Sequence, residues 1–261
     1  MTGRWSRTAL AALASVTLGT AIAHADVIGG ANVRATFQGW ITPQALPRDV
    51  PRPVALHLRG RLETTDGRLP PQLRRITISI NRHGKVSTVG LPTCPKRAIT
   101  ASTTMQALAR CRGALVGRGR FDAHIEIPTQ APFPARGRMV AFNAIQEGRP
   151  VILAHIFGTR PVPTSQVLTL HFGRPERGTY GTRMSVRMPQ VAEDWGHVTG
   201  FRLDLKRNYR HRGRDRSLIS ARCPAPEGRR TALFTAARGT YHLADGRELS
   251  RIVVARCRVE G

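Results

Sequence analysis

The sequence predicts an all-β protein, an antiparallel β-sandwich of roughly 10–12 strands with one short helix. Three observations predict it. Apolar and polar residues alternate with a period of two along many stretches. Gly- and Pro-rich segments such as "TTDGRLPP", "FGRPERG", "CPAPEG" and "ADGR" punctuate those stretches. Only one stretch carries the chemistry of a helix start.

In chain order, residues 32–40 and 53–62 read as the first strands. Ile76, Ile78 and Ile80 then share one face, with Thr77, Ser79 and Asn81 opposite. Residues 85–91 and 114–127 follow as strands. Between them, Thr103 and Gln106 have the spacing of a capping box, which predicts a helix of a few turns ending near Cys111. "GRMVAFNAIQ" and "RPVILAHIFG" are apolar on both faces, so they predict a hairpin covered on both sides, with "EGR" (Glu147–Arg149) as its turn. Residues 165–172 form the next strand. Met184, Val186 and Met188 alternate with Arg183, Ser185 and Arg187, and Phe201, Leu203 and Leu205 alternate with Arg202, Asp204 and Lys206. Residues 217–222, 231–243 and 247–258 complete the set.

Residues 1–25 read as a signal peptide. Arg4 and Arg7 form a positive n-region, Ala9–Ala23 is almost uniformly apolar and small, and "AHA" (Ala23, His24, Ala25) has the A-x-A form of a cleavage site. The apolar run is too short for a comfortable membrane span. Cleavage near Ala25 would start the mature chain at Asp26 and send it to the cell envelope or the medium. Residues 26–261 are expected to form a single domain. A faint echo between "ITISINRHGKVSTVGLPTCP" and "FRLDLKRNYRHRGRDRSLISARCP" leaves a two-half plan open, jointed near 128–137.

Four cysteines, an even number in an exported chain, imply two disulfides. Of the three connectivities, pairing along the chain is favoured: Cys94 with Cys111, which would pin the helix over a strand end, and Cys223 with Cys257. Each bridge is worth roughly 3–4 kcal/mol under the chain-entropy model. No C-x-x-C pair is present, which argues against zinc.

The formal net charge is +25, lowered by two when Arg4 and Arg7 leave with the leader. All but three of the 41 basic residues are arginine, the lysines being Lys85, Lys96 and Lys206. A GC-rich coding sequence produces such a bias by itself. The field it creates nonetheless favours anionic partners.

Several short patterns, "LPTCP", "ARCRGALVGRGRF", "PVPTS", "YGTRMSVRMP", "WGHVTGFRLDLKR" and "SARCPAP", together resemble a group of secreted proteins of GC-rich actinobacteria. The resemblance spans about residues 33–258. It implies export, disulfides and an all-β fold, and it carries no activity and no catalytic residue.

Catalytic signatures are lacking. There is no G-x-S-x-G, and Ser165, Ser185 and Ser217 sit in polar strand or loop contexts. "DAHIE" puts Asp122, His124 and Glu126 on one strand face, a pattern that reads better as a polar stripe than as a metal site. His155 in "ILAHIF" reads as a hydrogen-bonded core residue, while His57 and His171 are expected on the polar side of their strands. No Walker pattern occurs, and "GALVGRGRF" reads as a bent strand. No cofactor and no metal is expected.

Two features remain as ligand candidates. Lys206, Arg207, Arg210, Arg212, Arg214 and Arg216 crowd the run between two strands, which reads as a long hairpin tip joining 201–205 to 217–222. Dense cations suffice for salt-sensitive contact with anions. Reading single-stranded nucleic acid also needs aromatic platforms, and only Tyr209 is at hand. The expected function is therefore a non-catalytic envelope or extracellular protein that associates electrostatically with an anionic cell-wall polymer or glycan, without a specific nucleic acid. The alternatives are a carbohydrate-binding or carbohydrate-active module centred on Glu193, Asp194 and Trp195, and a structural surface protein without a specific ligand.

Overall fold

The computed structural model describes residues 26–29, 32–160, 162–173, 178–189 and 196–260, the first four by backbone alone. Residues 1–25, expected as a signal peptide, and Glu193, Asp194 and Trp195 lie outside the described residues. The strands are β1 (Asp26–Gly29), β2 (Val33–Thr42), β3 (Ala45–Leu46), β4 (Arg52–Pro53), β5 (Ala55–Thr64), β6 (Leu73–Asn81), β7 (Gly84–Val86), β8 (Leu115–Ile125) and β9 (Phe133–Gln146). They continue as β10 (Arg149–Gly158), β11 (Thr164–Gly173), β12 (Tyr180–Arg187), β13 (Gly196–Leu205), β14 (Asn208–His211), β15 (Arg214–Ser217), β16 (Ile219–Ala221), β17 (Thr231–Leu243) and β18 (Glu248–Val259). The α-helix is α1 (Thr104–Cys111).

The fold is all-β. Thirteen strands form one continuous curled sheet in the order β1-β2-β5-β13-β8-β9-β10-β11-β12-β6-β17-β18-β3. Strands from before and after residues 128–137 interleave in it. Among the described residues every strand pairing is antiparallel except that of β3 with β18. The curl brings the two ends of the sheet together: β2 packs against β17 and β18. Phe37 meets Tyr241 edge-on at 6.4 Å, and the Tyr241 hydroxyl donates to the Thr36 carbonyl at 2.8 Å. Burial holds this phenol well above its ordinary pKa, so it remains a donor.

The period-two pattern sets which side chains enter the core. On β2, Val33, Ala35 and Phe37 are buried, and Arg34 between them is exposed. On β5, Leu56, Leu58 and Leu62 point inward, while His57, Arg59 and Arg61 point outward. Each fully buried Leu, Ile or Phe contributes about 1.5–3 kcal/mol relative to exposure, so this alternation fixes register strongly.

The central hairpin, β9 and β10, is covered on both sides as its composition requires. Met139, Ala141, Ile152, Ala154 and Ile156 face the main core. Val140, Phe142, Ala144, Val151 and Leu153 face a second cluster formed with Ile99, Ala107, Ala114 and the Cys94–Cys111 disulfide. The helix in that cover has the capping box: the Thr103 hydroxyl accepts the Gln106 N–H at 3.2 Å, and the Gln106 side chain accepts the Thr103 N–H at 2.9 Å. The hairpin turns at Glu147 and Gly148, with φ of 51° and 72°, the primed-turn geometry that matches strand twist.

A three-stranded sheet, β4-β16-β7, plugs one end of the curl. Its surroundings place Leu46, Val54, Leu91, Leu218, Ile219 and Ala225 in the main core. The Cys223–Cys257 disulfide ties this plug to β18. The strand expected at 85–91 is limited to the short β7, because Ser87 donates to the Leu218 carbonyl and residues 88–91 then turn.

Candidate functional site

The basic run differs from the long tip expected of it. Residues 201–205 belong to β13, which pairs with β5 and β8, whereas 219–221 belong to β16 in the plug. The run between them is its own hairpin, β14–β15, turning on two residues, Arg212 and Gly213, at φ of 50° and 73°. It lies against residues 89–90. The Tyr209 hydroxyl donates to the Val89 carbonyl at 2.7 Å, and the His211 ring sits where a Cβ on Gly90 would be. Tyr209 is thus half-buried and not an open stacking platform.

The cations of this hairpin are scattered. Arg207 donates to the Gly113 carbonyl at 3.2 Å. Arg216 is half-buried beside Tyr209. Arg210 stands opposite Asp215, Arg214 opposite His211, and Arg212 on the turn, while Lys206 is exposed before β14.

A denser array lies on the outer face of the large sheet. Register places Arg59 on β5 opposite Arg202 on β13, Arg202 opposite Arg120 on β8, and Arg120 opposite Arg138 on β9. Four arginines stand abreast on four neighbouring strands. Strand spacing of about 4.8 Å makes this row roughly 15 Å long. The next row on one side holds Arg61, Gly200, Asp122 and Arg136. The row on the other side holds Trp40, His57, Asp204 and Arg118.

Acids only partly neutralise these rows. Asp122 reaches Arg120 and Arg136 at 3.6 Å each. Asp204 accepts from Arg202 at 3.2 Å and lies 2.7 Å from His57 Nδ1. Glu63 reaches Arg61 at 3.8 Å. Among the described residues Arg118 and Arg138 have no ion-pair partner, and both are exposed. The Arg120 side chain is 66% exposed and that of Arg136 is 77%.

The sequence builds this face by an Arg-Gly-Arg pattern, at 59–61, 118–120 and 136–138, a spacing that matches no familiar binding motif. In a strand the two arginines point outward and the glycine points inward. Inside, the matching row reads Phe37, Gly60, Phe201, Phe121, Gly137. A Cβ on Gly60 would fall 2.2 Å from the Phe201 ring, so the glycine leaves room for the aromatic. A Cβ on Gly119 would fall 2.0 Å from the Arg202 carbonyl oxygen, so β8 and β13 can approach only because that residue is glycine.

Among the described residues, the aromatic on this face is Trp40, and it is already engaged. The Trp40 ring stacks on His57 at 4.9 Å with 13° between planes, and the Arg59 guanidinium lies 4.8 Å from its centroid. The His57 Nε2 is 3.3 Å from the Thr42 hydroxyl. Among the described residues, the face therefore offers guanidinium groups and no free aromatic plane.

Asp122 is engaged by Arg120 and Arg136, and Glu126 lies 3.1 Å from His197 Nε2. Asp122, His124 and Glu126 do not converge, and among the described residues no cluster of three metal-type ligands occurs. His155 is fully buried. It donates from Nε2 to the Ser102 carbonyl at 2.9 Å, with the Ser165 hydroxyl at 3.1 Å. Burial lowers its pKa below the ordinary value. Ser217 donates to the Ile219 carbonyl, and Ser185 stands opposite Thr77 on the outer face. No helix among the described residues is long and apolar enough to cross a membrane.

Compared with known proteins, the chain matches no family model, no curated protein and no solved structure.

Proposed function

We propose that the protein is a secreted, non-catalytic binder of anionic polymers, and that the polymer lies across β5, β13, β8 and β9 with its acid groups on Arg59, Arg202, Arg120 and Arg138. The observation that carries this reading is their register, four cations directly abreast. Like charges placed directly opposite on neighbouring strands cost stability, and a bound polyanion would offset that cost. Guanidinium forks suit phosphate, sulfate and carboxylate groups by geometry as well as charge. The engaged state of Trp40 favours contact with a charged backbone over stacking with bases or sugar rings. The two disulfides suit an oxidising compartment, where such polymers are met.

The test is equilibrium binding to teichoic-type polymer, heparin and duplex DNA over a salt series. With four charges engaged, log K against log salt for the duplex should fall with a slope of about −3.6. Lack of binding to all three at low salt, or affinity indifferent to salt, would sink the reading.

A further inference from the structure

The run Ile252–Ala255 is apolar on both faces, as β9 and β10 are. Those two strands are covered on both sides, but among the described residues this stretch of β18 is covered on one. Val253 points inward and is fully buried, whereas Ile252 and Val254 point outward and are exposed. Leu233 on β17 lies diagonal to Val254, because register sets Leu233 opposite Arg256 and Thr235 opposite Val254. It is 71% exposed. Among the described residues eight large apolar side chains are exposed, and these three make a contiguous patch on one hairpin. Its rim is cationic. Arg256 and Arg258 continue the outward row of β18, and Arg238 stands opposite Ile252 with its guanidinium 4.7 Å from the Tyr180 ring centroid. Arg256 and Arg258 are exposed, and among the described residues no hydrogen bond or ion pair holds their side chains. The acids on or beside the hairpin are engaged or outnumbered. Asp245 pairs with Arg247, Glu248 lies 2.7 Å from His242, and Glu260 lies 3.1 Å from Arg52. Glu227 shares the turn before β17 with Arg229 and Arg230.

We propose that this patch docks the protein on the surface of an anionic lipid bilayer, with Leu233, Ile252 and Val254 at the acyl boundary and Arg238, Arg256 and Arg258 among the headgroups. The chemistry narrows the occupant. A second copy of the chain would bring these arginines face to face, and like charges repel. Protein interfaces favour Trp, Tyr and Arg as anchors, with Leu and Val under-represented, whereas this patch is aliphatic. A soluble polyanion would meet the arginines and leave the aliphatic trio in water. A bilayer surface supplies both halves at once: acyl chains for the trio and acidic headgroups for the rim. The patch lies on β17 and β18, apart from the arginine rows on β5, β13, β8 and β9, and does not rest on the polymer-binding reading.

The experiment is co-flotation of the full chain with vesicles of phosphatidylcholine alone and with vesicles of phosphatidylcholine and phosphatidylglycerol in equal parts. The mixed vesicles are expected to bind and the neutral ones to bind far more weakly, with about fivefold lost for each of Arg256→Ser and Arg258→Ser. Leu233→Ser keeps every charge and should weaken binding to mixed vesicles about tenfold while leaving heparin affinity unchanged. Leu233→Trp should shift its emission to the blue on mixed vesicles and not on heparin. If Leu233→Ser lowers the melting temperature, that emission shift carries the test by itself. Binding to mixed vesicles that a folded Leu233→Ser protein retains in full would place the lipid on the arginine rows and overturn the proposal. So would lack of binding to mixed vesicles, equal binding to both vesicles, or a dimer in solution that Leu233→Ser dissociates.

Discussion

Two regions of this molecule are rich in arginine, and they differ in how the charge is arranged. The β14–β15 hairpin packs five arginines and a lysine into the eleven residues Lys206–Arg216. Folding spreads them over a turn, a half-buried face and cross-strand partners that include Asp215. The rows on β5, β13, β8 and β9 draw their arginines from positions 59, 120, 138 and 202, and folding sets these side by side. Density along a chain is therefore a poor guide to density in space when the chain is all strand. A period of two sends alternate residues to one face, and register then multiplies a modest local pattern across neighbours.

The largest effect expected on this comparison comes from breaking the register itself. Gly119→Ala puts a methyl group against the Arg202 carbonyl and should destabilise by about 3 kcal/mol or more in urea unfolding. Wild-type stability in that variant would show that β8 and β13 are not held as described. Next comes charge removal. The triple variant Arg120→Ser, Arg138→Ser, Arg202→Ser should lose roughly a hundredfold in polyanion affinity at low salt and flatten the salt slope by about 2.7. The matched hairpin triple, Arg210→Ser, Arg212→Ser, Arg214→Ser, should change affinity less than about threefold. The reverse order would return the binding role to the hairpin. A smaller effect is expected without ligand: Arg120→Thr should stabilise the protein by about 0.2–1 kcal/mol, through relief of repulsion from Arg202 and Arg138, and thermal melts can resolve it.

The smallest effect separates titrating from non-titrating charge. Burial lowers the pKa of His155, and burial followed by Arg222 and Arg82 lowers that of His83. A histidine with a folded pKa below its unfolded value of about 6.5 adds stability above that pH and loses it as pH falls toward the folded value. Melting temperature should thus hold above about pH 6.5 and decline below it, with a shallower decline in His155→Asn. A decline just as steep in that variant would acquit His155. The arginine rows keep their charge throughout this range.

Much of the fold was legible because burial enforces it locally. Ile76, Ile78 and Ile80 announce β6, the two-faced apolar runs announce the covered β9–β10 hairpin, and Thr103 with Gln106 announces α1. Pairing along the chain anticipated both disulfides. The pairing of the plug was not legible. The strands expected at 85–91 and 217–222 contain most of β7 and all of β16, but these short strands pair with each other and with β4 across large sequence distances that no local pattern reveals. That same distance hid the fate of residues 206–216, since nothing near Leu205 says that its continuation leaves the sheet. For the arginine face, half the signal was present. Arg-Gly-Arg recurs three times in strands, but only register reveals that Arg59, Arg202, Arg120 and Arg138 align.

The closure of the sheet also has a consequence in time. β2 lies near one edge, yet the chain runs on through Pro43 to β3, and β3 pairs with β18 on the opposite edge. Ala45 and Leu46 thus await partners made last, Arg258 and Val259. Contacts of such sequence separation form slowly. A nascent chain, which emerges from its N-terminus, holds an open sheet until its C-terminal hairpin is complete. Truncation before Glu248 would leave β17 an unpaired edge and β3 without its strand, an invitation to pair with a second chain.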